Sequence, residues 1–264
     1  MYNLLKFELY KLKNSKTFRN LFIITTILIV FILRLFYTNA GPWKLFDFIY
    51  NNRECGFFIN NFKDRIHPTS LEFFNSAFGF SIVMIILIMF IVGAFVVDEY
   101  SNGTIKNIIA YGHNRIKIYI SKFLIICLGI FTLVIFLLFI PVIIALILGW
   151  EKAVSISEII RIIKSTVLIC WIFTTIVSIY MCFMTIIKSK SIVIGLGIVF
   201  LFLNGAGFFS SFKFERYTPA FMLMNIGTLS PNSVDIQNMI VTCFILIILS
   251  NLLGIFIFKN QDIK

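Results

Sequence analysis

An all-α membrane protein with six transmembrane helices is the fold this sequence predicts, and three observations predict it. Of its 264 residues, 59% are hydrophobic and 13% are charged, whereas about a quarter of the residues in a soluble domain carry charge. The apolar residues fall in continuous runs rather than in alternation. Only helices and closed barrels pair all their backbone groups inside hydrocarbon, and unbroken runs near 20 residues fit helices. Lysine and arginine, finally, concentrate in alternate loops between those runs, the asymmetry that orients membrane helices.

The first twenty residues are too charged to span. Tyr2, Leu5, Leu9 and Leu12 recur at helical spacing with lysines between them, which fits a short helix lying in the membrane interface; a plain basic tail is the other reading. Six runs follow, at 21–37, 73–97, 123–148, 165–187, 192–209 and 239–258. The first carries Arg34 near its end, where a long side chain can snorkel to the headgroups. Thr38-Asn39-Ala40 loosely resembles a signal-peptide cleavage site, but the basic region before the run is long, so the run is expected to stay as a span. Segment 38–72 has mixed charges and Gly41-Pro42 and His67-Pro68 breaks, and it is too short to bury a core of its own. Pro141 lies inside the third run and is expected to kink it. Gly149-Trp150-Glu151-Lys152 makes a turn before the fourth. Segment 204–235 stays apolar while Gly205, Gly207, Pro219, Gly227 and Pro231 interrupt it. Broken backbone at membrane depth must be buried in protein or line a cavity, so short re-entrant or interfacial helices on the outer face are expected there. The chain then reads as one transmembrane domain over residues 1–264.

An even number of spans puts both termini on one side. That side holds the amino-terminal lysines, Lys106, Arg115, Lys117, Lys122, Lys188, Lys190 and Lys259, and it carries most of the net charge of +11. It is therefore the cytoplasmic side. The positive charge is divided among short loops rather than gathered on one face, so no nucleic-acid partner is expected. Cys127, Cys170, Cys182 and Cys243 fall inside spans and Cys55 outside them, which leaves neither a disulfide framework nor a metal spacing.

Candidate chemistry is sparse. The two histidines, His67 and His113, fall on opposite sides, which leaves no two-histidine metal site and no serine–histidine relay. The sequence lacks a G-x-x-x-x-G-K-[ST] phosphate loop, so no nucleotide site of that type is expected. Apart from Arg34, the six runs contain no Asp, Glu, Lys, Arg or His, which argues against ion-coupled transport through buried charges. The polar and polarisable groups left within spans are weak ones. Ser81, Met84, Met89, Thr174, Ser178 and Asn204 are the candidates for lining a path, with interhelical hydrogen bonding as the other use of the hydroxyls and the amide.

The stretch 98–122, DEYSNGTIKNIIAYGHNRIKIYISK, is the main polar interruption between long runs. Asp98 and Glu99 end the second span, Ser101-Asn102-Gly103 makes a turn, Thr104–Ala110 reads as a short helix, Gly112 suits a left-handed stop, and Asn114 suits the cap of the next helix. The run Glu99…Gly103-Thr104-Ile105-Lys106…Arg115…Lys122, with the amino-terminal FELYKLKNSKTFRN, the span order and the ending FIFKNQDIK, resembles the permease subunits of bacterial type-2 ABC exporters. The likeness covers the whole chain. It implies a permease that pairs with a second permease, identical or related, and docks on two separate ATPase subunits. Those subunits bind ATP and Mg, and the permease itself binds no cofactor. It further implies that the elbow is a coupling helix using Glu99, Gly103, Thr104, Ile105, Lys106, Ile108, Ile109 and Arg115, and that the second and fifth spans line a central path.

Within that resemblance, Ile105, Ile108 and Ile109 are the expected docking face, with packing against the spans as their other reading. Lys106 and Arg115 would face the partner's acidic rim or membrane lipid. Small permeases of this kind are similar to exporters of antimicrobial or cytolytic peptides, and the Phe- and Met-rich spans suit amphipathic cargo. Drugs, lipids, ions, or a sensor or scaffold role without transport remain open at this level. The Ile, Phe, Lys and Asn bias points to an AT-rich bacterial genome and hence to a bacterial plasma membrane.

Overall fold

The computed structural model describes residues 1–50, 53–150, 154–205, 215–228 and 231–261. Among these residues ten helices and one β-hairpin follow in the order α1 (Tyr2–Asn14), α2 (Lys16–Tyr37), β1 (Trp43–Tyr50), β2 (Arg53–Ile59), α3 (Ser70–Phe78), α4 (Ser81–Ser101), α5 (Thr104–Ala110), α6 (Arg115–Ile147), α7 (Ile156–Ile187), α8 (Lys190–Gly205), α9 (Pro219–Thr228) and α10 (Ser233–Asn260), with a 3-10 turn at Glu215–Tyr217. Five helices, α2, α4, α6, α7 and α10, are long and apolar enough to cross a membrane.

The expected fifth span, 192–209, is described as far as Gly205, as part of α8. Its 16 described residues cover about 24 Å of the roughly 30 Å of hydrocarbon. Its end is held by Asn204, whose amide donates to the Phe200 carbonyl at 2.8 Å while its Oδ1 accepts from Thr218 at 3.1 Å. The bond ties the last described turn of α8 to Thr218, the residue before α9. Residues 206–209, Gly207, Glu151-Lys152 and the last three residues, all of which the sequence reading used, lie outside the described residues.

The second run is two helices rather than one. Thr69 and Glu72 form a reciprocal capping box that starts α3 outside the apolar stretch, satisfying two orphan amide donors at once. The chain then turns at Gly79-Phe80. A Cβ on Gly79 would sit 2.4 Å from the Phe58 carbonyl oxygen, so β2 can press against this corner only because glycine has no side chain. The helix resumes as α4, the most enclosed span, packed between α7, α8 and α6.

The segment 38–72 holds a feature its mixed charges concealed. Strands β1 and β2 pair antiparallel, from Trp43 opposite Ile59 to Ile49 opposite Glu54, with an irregularity between Leu45 and Phe48. Cys55, Phe57 and Ile59 alternate into the core, each at most 1% exposed, as the two-residue period of a strand requires. The hairpin borrows its core from α3 and α9, which is how so short a segment becomes ordered. Beside it Phe36, Phe62, Phe73 and Trp150 cluster with ring centroids 4.8 to 6.0 Å apart, joining the ends of α2, α3 and α6. Helix α6 runs unbroken through Pro141 for 33 residues, about 50 Å, so it extends well beyond the hydrocarbon toward α5.

The amino-terminal stripe is rotated from the expected one. Helix α1 buries Leu4, Glu8 and Leu12, one face at i, i+4, i+8, while Tyr2 and Leu9 are exposed. An acid at the centre of that face decides the rotation, because its charge must reach a partner.

Candidate coupling site

The elbow between α4 and α6 is built from two left-handed glycine turns and a helix cap. Asn102 N–H donates to the Asp98 carbonyl at 2.9 Å as α4 ends. Gly103 takes a left-handed φ of +68°, a conformation that glycine adopts without steric cost. Thr104 Oγ1 then donates to the Glu99 carbonyl at 3.3 Å, binding the start of α5 to the end of α4. After α5, Gly112 repeats the left-handed turn at φ +80°. Asn114 Oδ1 accepts from Ile116 N–H at 2.9 Å, capping α6. Helix α5 covers Thr104–Ala110, the bounds the turn residues imply.

The apolar face of α5 does not point outward as a unit. Ile105 is 1% exposed and packs inward, and Ile108 and Ile109 lie half-buried against the same core. Ile105 therefore drops out of the expected docking face. With seven residues and one apolar stripe, α5 needs that stripe to stay attached to the spans. What it presents outward is Thr104, Lys106, Asn107 and Ala110, followed by Tyr111 at 84% exposure.

Four charges meet on the α1 side of the elbow. Lys122 on α6 lies 2.6 Å from Glu8 of α1 and also pairs with Glu99 of α4, and Lys11 of α1 pairs with the same Glu99. The side chains of Lys122 and Glu8 are 4% and 0% exposed. Lys11 additionally lies 4.6 Å from the centre of the Phe95 ring. Two acids and two bases make the cluster neutral, which is what permits it in a dry setting. Burial pushes the Glu8 carboxyl above its ordinary value, opposed by the Lys122 ammonium. Among the described residues the second oxygen of Glu8 has no hydrogen-bond donor. Glu99 thus joins α1, α4 and α6, and Lys122 is a buried counter-ion.

On the opposite side Arg115 has a use the sequence did not disclose. Its Nη1 donates to the main-chain oxygens of Phe258, Lys259 and Gln261 at 3.3, 2.9 and 2.6 Å. A cation there completes carbonyls left open at the end of α10 and opposes the negative end of the helix dipole. The expectation that Arg115 faces a partner's acidic rim or lipid gives way to this contact within the chain. Gln261 extends the clasp: its amide donates to the Thr185 carbonyl of α7 at 2.9 Å and its Oε1 accepts from the Tyr100 hydroxyl of α4 at 2.8 Å. Asp98 pairs with Lys190 at the start of α8. Residues 98–122 therefore bond, through side chains, to α1, α8 and α10, and Gln261 links Tyr100 onward to the Thr185 carbonyl of α7.

The residues expected along a path behave differently. Ser81, Met84, Met89, Ser178 and Asn204 are each at most 2% exposed inside the single chain, and Thr174 is half-buried. Ser178 accepts from Ser250 of α10 at 2.8 Å, and Thr174 bonds the Cys170 carbonyl of its own helix. The Met89 sulfur packs so close to Gly197 of α8 that a Cβ there would lie 2.8 Å from it. A groove of about 470 Å³ does open beside α8, lined by Ile85, Tyr180, Leu196, Gly197, Phe200 and Leu246 among others. None of the six expected residues lines it: the short polar side chains fold back onto helix carbonyls or neighbouring helices, and Met84 and Met89 are packed in the core.

Residues 4–204 match a family model described as ABC-2 family transporter protein. A search of curated proteins found no relative.

Proposed function

The chain belongs to the ABC-2 transporter family, whose members are membrane subunits served by an ABC ATPase, and from that premise we propose that residues 98–122 receive the force of ATP binding and hydrolysis. The supporting observation is the bonding of this one elbow to α1, α6, α8 and α10. An input that moves α5 pulls on several spans at once. Its outward Lys106, Asn107 and Tyr111 meet the ATPase, and the buried Ile105 keeps α5 attached to the bundle while it moves.

In this reading two copies of the permease, or this chain and a related one, enclose the path, and two ATPase subunits bind beneath them. Both termini are cytoplasmic, in a bacterial plasma membrane. The cargo is amphipathic or hydrophobic, and peptides of antimicrobial or cytolytic type fit the Phe- and Met-rich spans. The permease holds no nucleotide, so ATP and Mg belong to the partner.

Co-purification with the ATPase, followed by ATP turnover and export from vesicles, tests the assignment. Glu99→Ala with Lys106→Ala is expected to reduce coupled turnover at least about tenfold, the scale of one lost charge-assisted contact. Because Glu99 is buried, Lys106→Glu with Tyr111→Ala isolates docking, and it should weaken ATPase association while leaving the melting midpoint unchanged. Failure of any nucleotide-binding subunit to associate, or unchanged turnover in both variants, overturns the proposal. Survival of a deletion strain against a peptide panel tests the cargo, and uniform sensitivity removes peptides from consideration.

A further inference from the structure

At the end of the molecule opposite α5, a cleft of about 440 Å³ opens between β2, α3, α9 and the first turns of α7. Its floor is apolar, including Phe58, Leu71 and Phe78, and its rim carries Lys63, Arg161, Asn61, Asn75 and one acid, Glu72. Both oxygens of Glu72 are already engaged, accepting from the main-chain N–H of Lys63 and of Thr69 at 3.0 Å each. Among the described residues neither the Lys63 ammonium nor the Arg161 guanidinium has an ion-pair or hydrogen-bond partner, and the Asn61 and Asn75 side-chain amides have none. Donors therefore exceed free acceptors around the cleft, and two of those donors carry full charge.

The surroundings fix what kind of ligand could reach this rim. Ile156, Ile159, Ile160 and Ile163 on α7 are all exposed, on the same first two turns that carry Arg161. Exposed isoleucines interleaved with a cation are the pattern of a helix passing from hydrocarbon into the headgroup layer. An anion arriving there meets two cations against one carboxylate, Glu72, whose oxygens are turned to main-chain N–H groups, and an apolar tail attached to it meets the phenylalanine floor or the α7 isoleucines.

We propose that this cleft binds the anionic headgroup, phosphate or carboxylate, of an amphipathic ligand between Lys63 and Arg161. The site is separate from the elbow and needs no ATPase, so it stands or falls independently of the coupling assignment. Its nearest source is an anionic phospholipid, and its chemistry is shared with free phosphate.

The test is native mass spectrometry of the full chain in detergent with phosphatidylglycerol, with phosphatidylcholine, and with phosphatidylglycerol plus inorganic phosphate. Wild-type protein should retain phosphatidylglycerol in preference to phosphatidylcholine. Lys63→Gln with Arg161→Gln should reduce that retention about tenfold or more, as expected for loss of charge-assisted donors. Lys44→Gln should leave it unchanged, since Lys44 pairs with Glu54 on the hairpin 2.6 Å away. Displacement by inorganic phosphate would assign recognition to the phosphate group alone, and resistance to it would assign the whole lipid; either agrees with the site. Equal retention of both lipids, or equal retention of phosphatidylglycerol by the double variant with an unchanged melting midpoint, overturns it.

Discussion

On the α1 side of the elbow three charges, Glu8, Glu99 and Lys122, are packed nearly out of reach of water beside a partly exposed Lys11, whereas on the α10 side one half-buried guanidinium spans three carbonyls. The two clusters begin one residue apart on α4, at Glu99 and Tyr100, and seven apart on α6, at Arg115 and Lys122. They differ in what failure costs. A buried ion cluster is close to neutral in net worth when complete, but removing one member strands its partners in low dielectric. A capping cation strengthens groups that water could otherwise satisfy, so its loss is milder and local. The elbow therefore has a flank that must move as a unit, α1 with α6, and a flank that can yield, the end of α10.

The largest test of that difference is Lys122→Met. It leaves Glu8 without its cation and Glu99 with Lys11 alone, and it should lower unfolding stability by about 3–5 kcal/mol, measured by denaturation in detergent. Adding Glu8→Leu removes the stranded acid and should restore most of the loss. A near-neutral Lys122→Met would mean that water reaches the cluster, and the two flanks would then be alike.

Arg115 supplies the middle-sized effect. Arg115→Ala opens three carbonyls and should cost about 1.5–3 kcal/mol, while Arg115→Lys, a point charge unable to fork, should fall between that and wild type. Hydrogen exchange should quicken in the last turn of α10 and stay unchanged in α1. Equal quickening in both helices would merge the flanks into one cooperative unit.

Much of the fold and part of the site are legible in the sequence. Five of the expected runs contain long helices, and the turn chemistry at Gly103, Gly112 and Asn114 bounds α5 because those residues act through local backbone geometry. Long-range pairing was not legible in the same way. Arg115 and Gln261 are 146 positions apart, and nothing in either neighbourhood announces the other. Ile105 looked like a surface hydrophobe because a seven-residue helix is too short for its stripe to reveal which side holds the spans. The Leu4–Glu8–Leu12 face could have been found: one acid midway along an otherwise apolar stripe has to be paired, and Lys122 enters its span from the same side. The β-hairpin also left a signal, the alternation of Cys55, Phe57 and Ile59, which charged neighbours masked.

The smallest prediction concerns Glu8, and it sharpens the comparison through pH. Burial raises its carboxyl above the ordinary value of 4.5, so the folded chain holds a proton in a range where the unfolded chain has released it. The corresponding stability is fully present below the ordinary value and is lost as pH rises through the raised one. One proton limits the slope to about 1.4 kcal/mol per pH unit, and the pairing with Lys122 opposes it. Glu8→Gln keeps an acceptor for Lys122 and removes the titration, so its melting midpoint, followed as pH rises above the ordinary carboxylate value, should lack the decline that wild type shows. The difference between the two curves isolates Glu8 from every other carboxylate. Parallel curves would mean that Glu8 titrates as a solvated acid, and the α1 flank would then yield as readily as the end of α10.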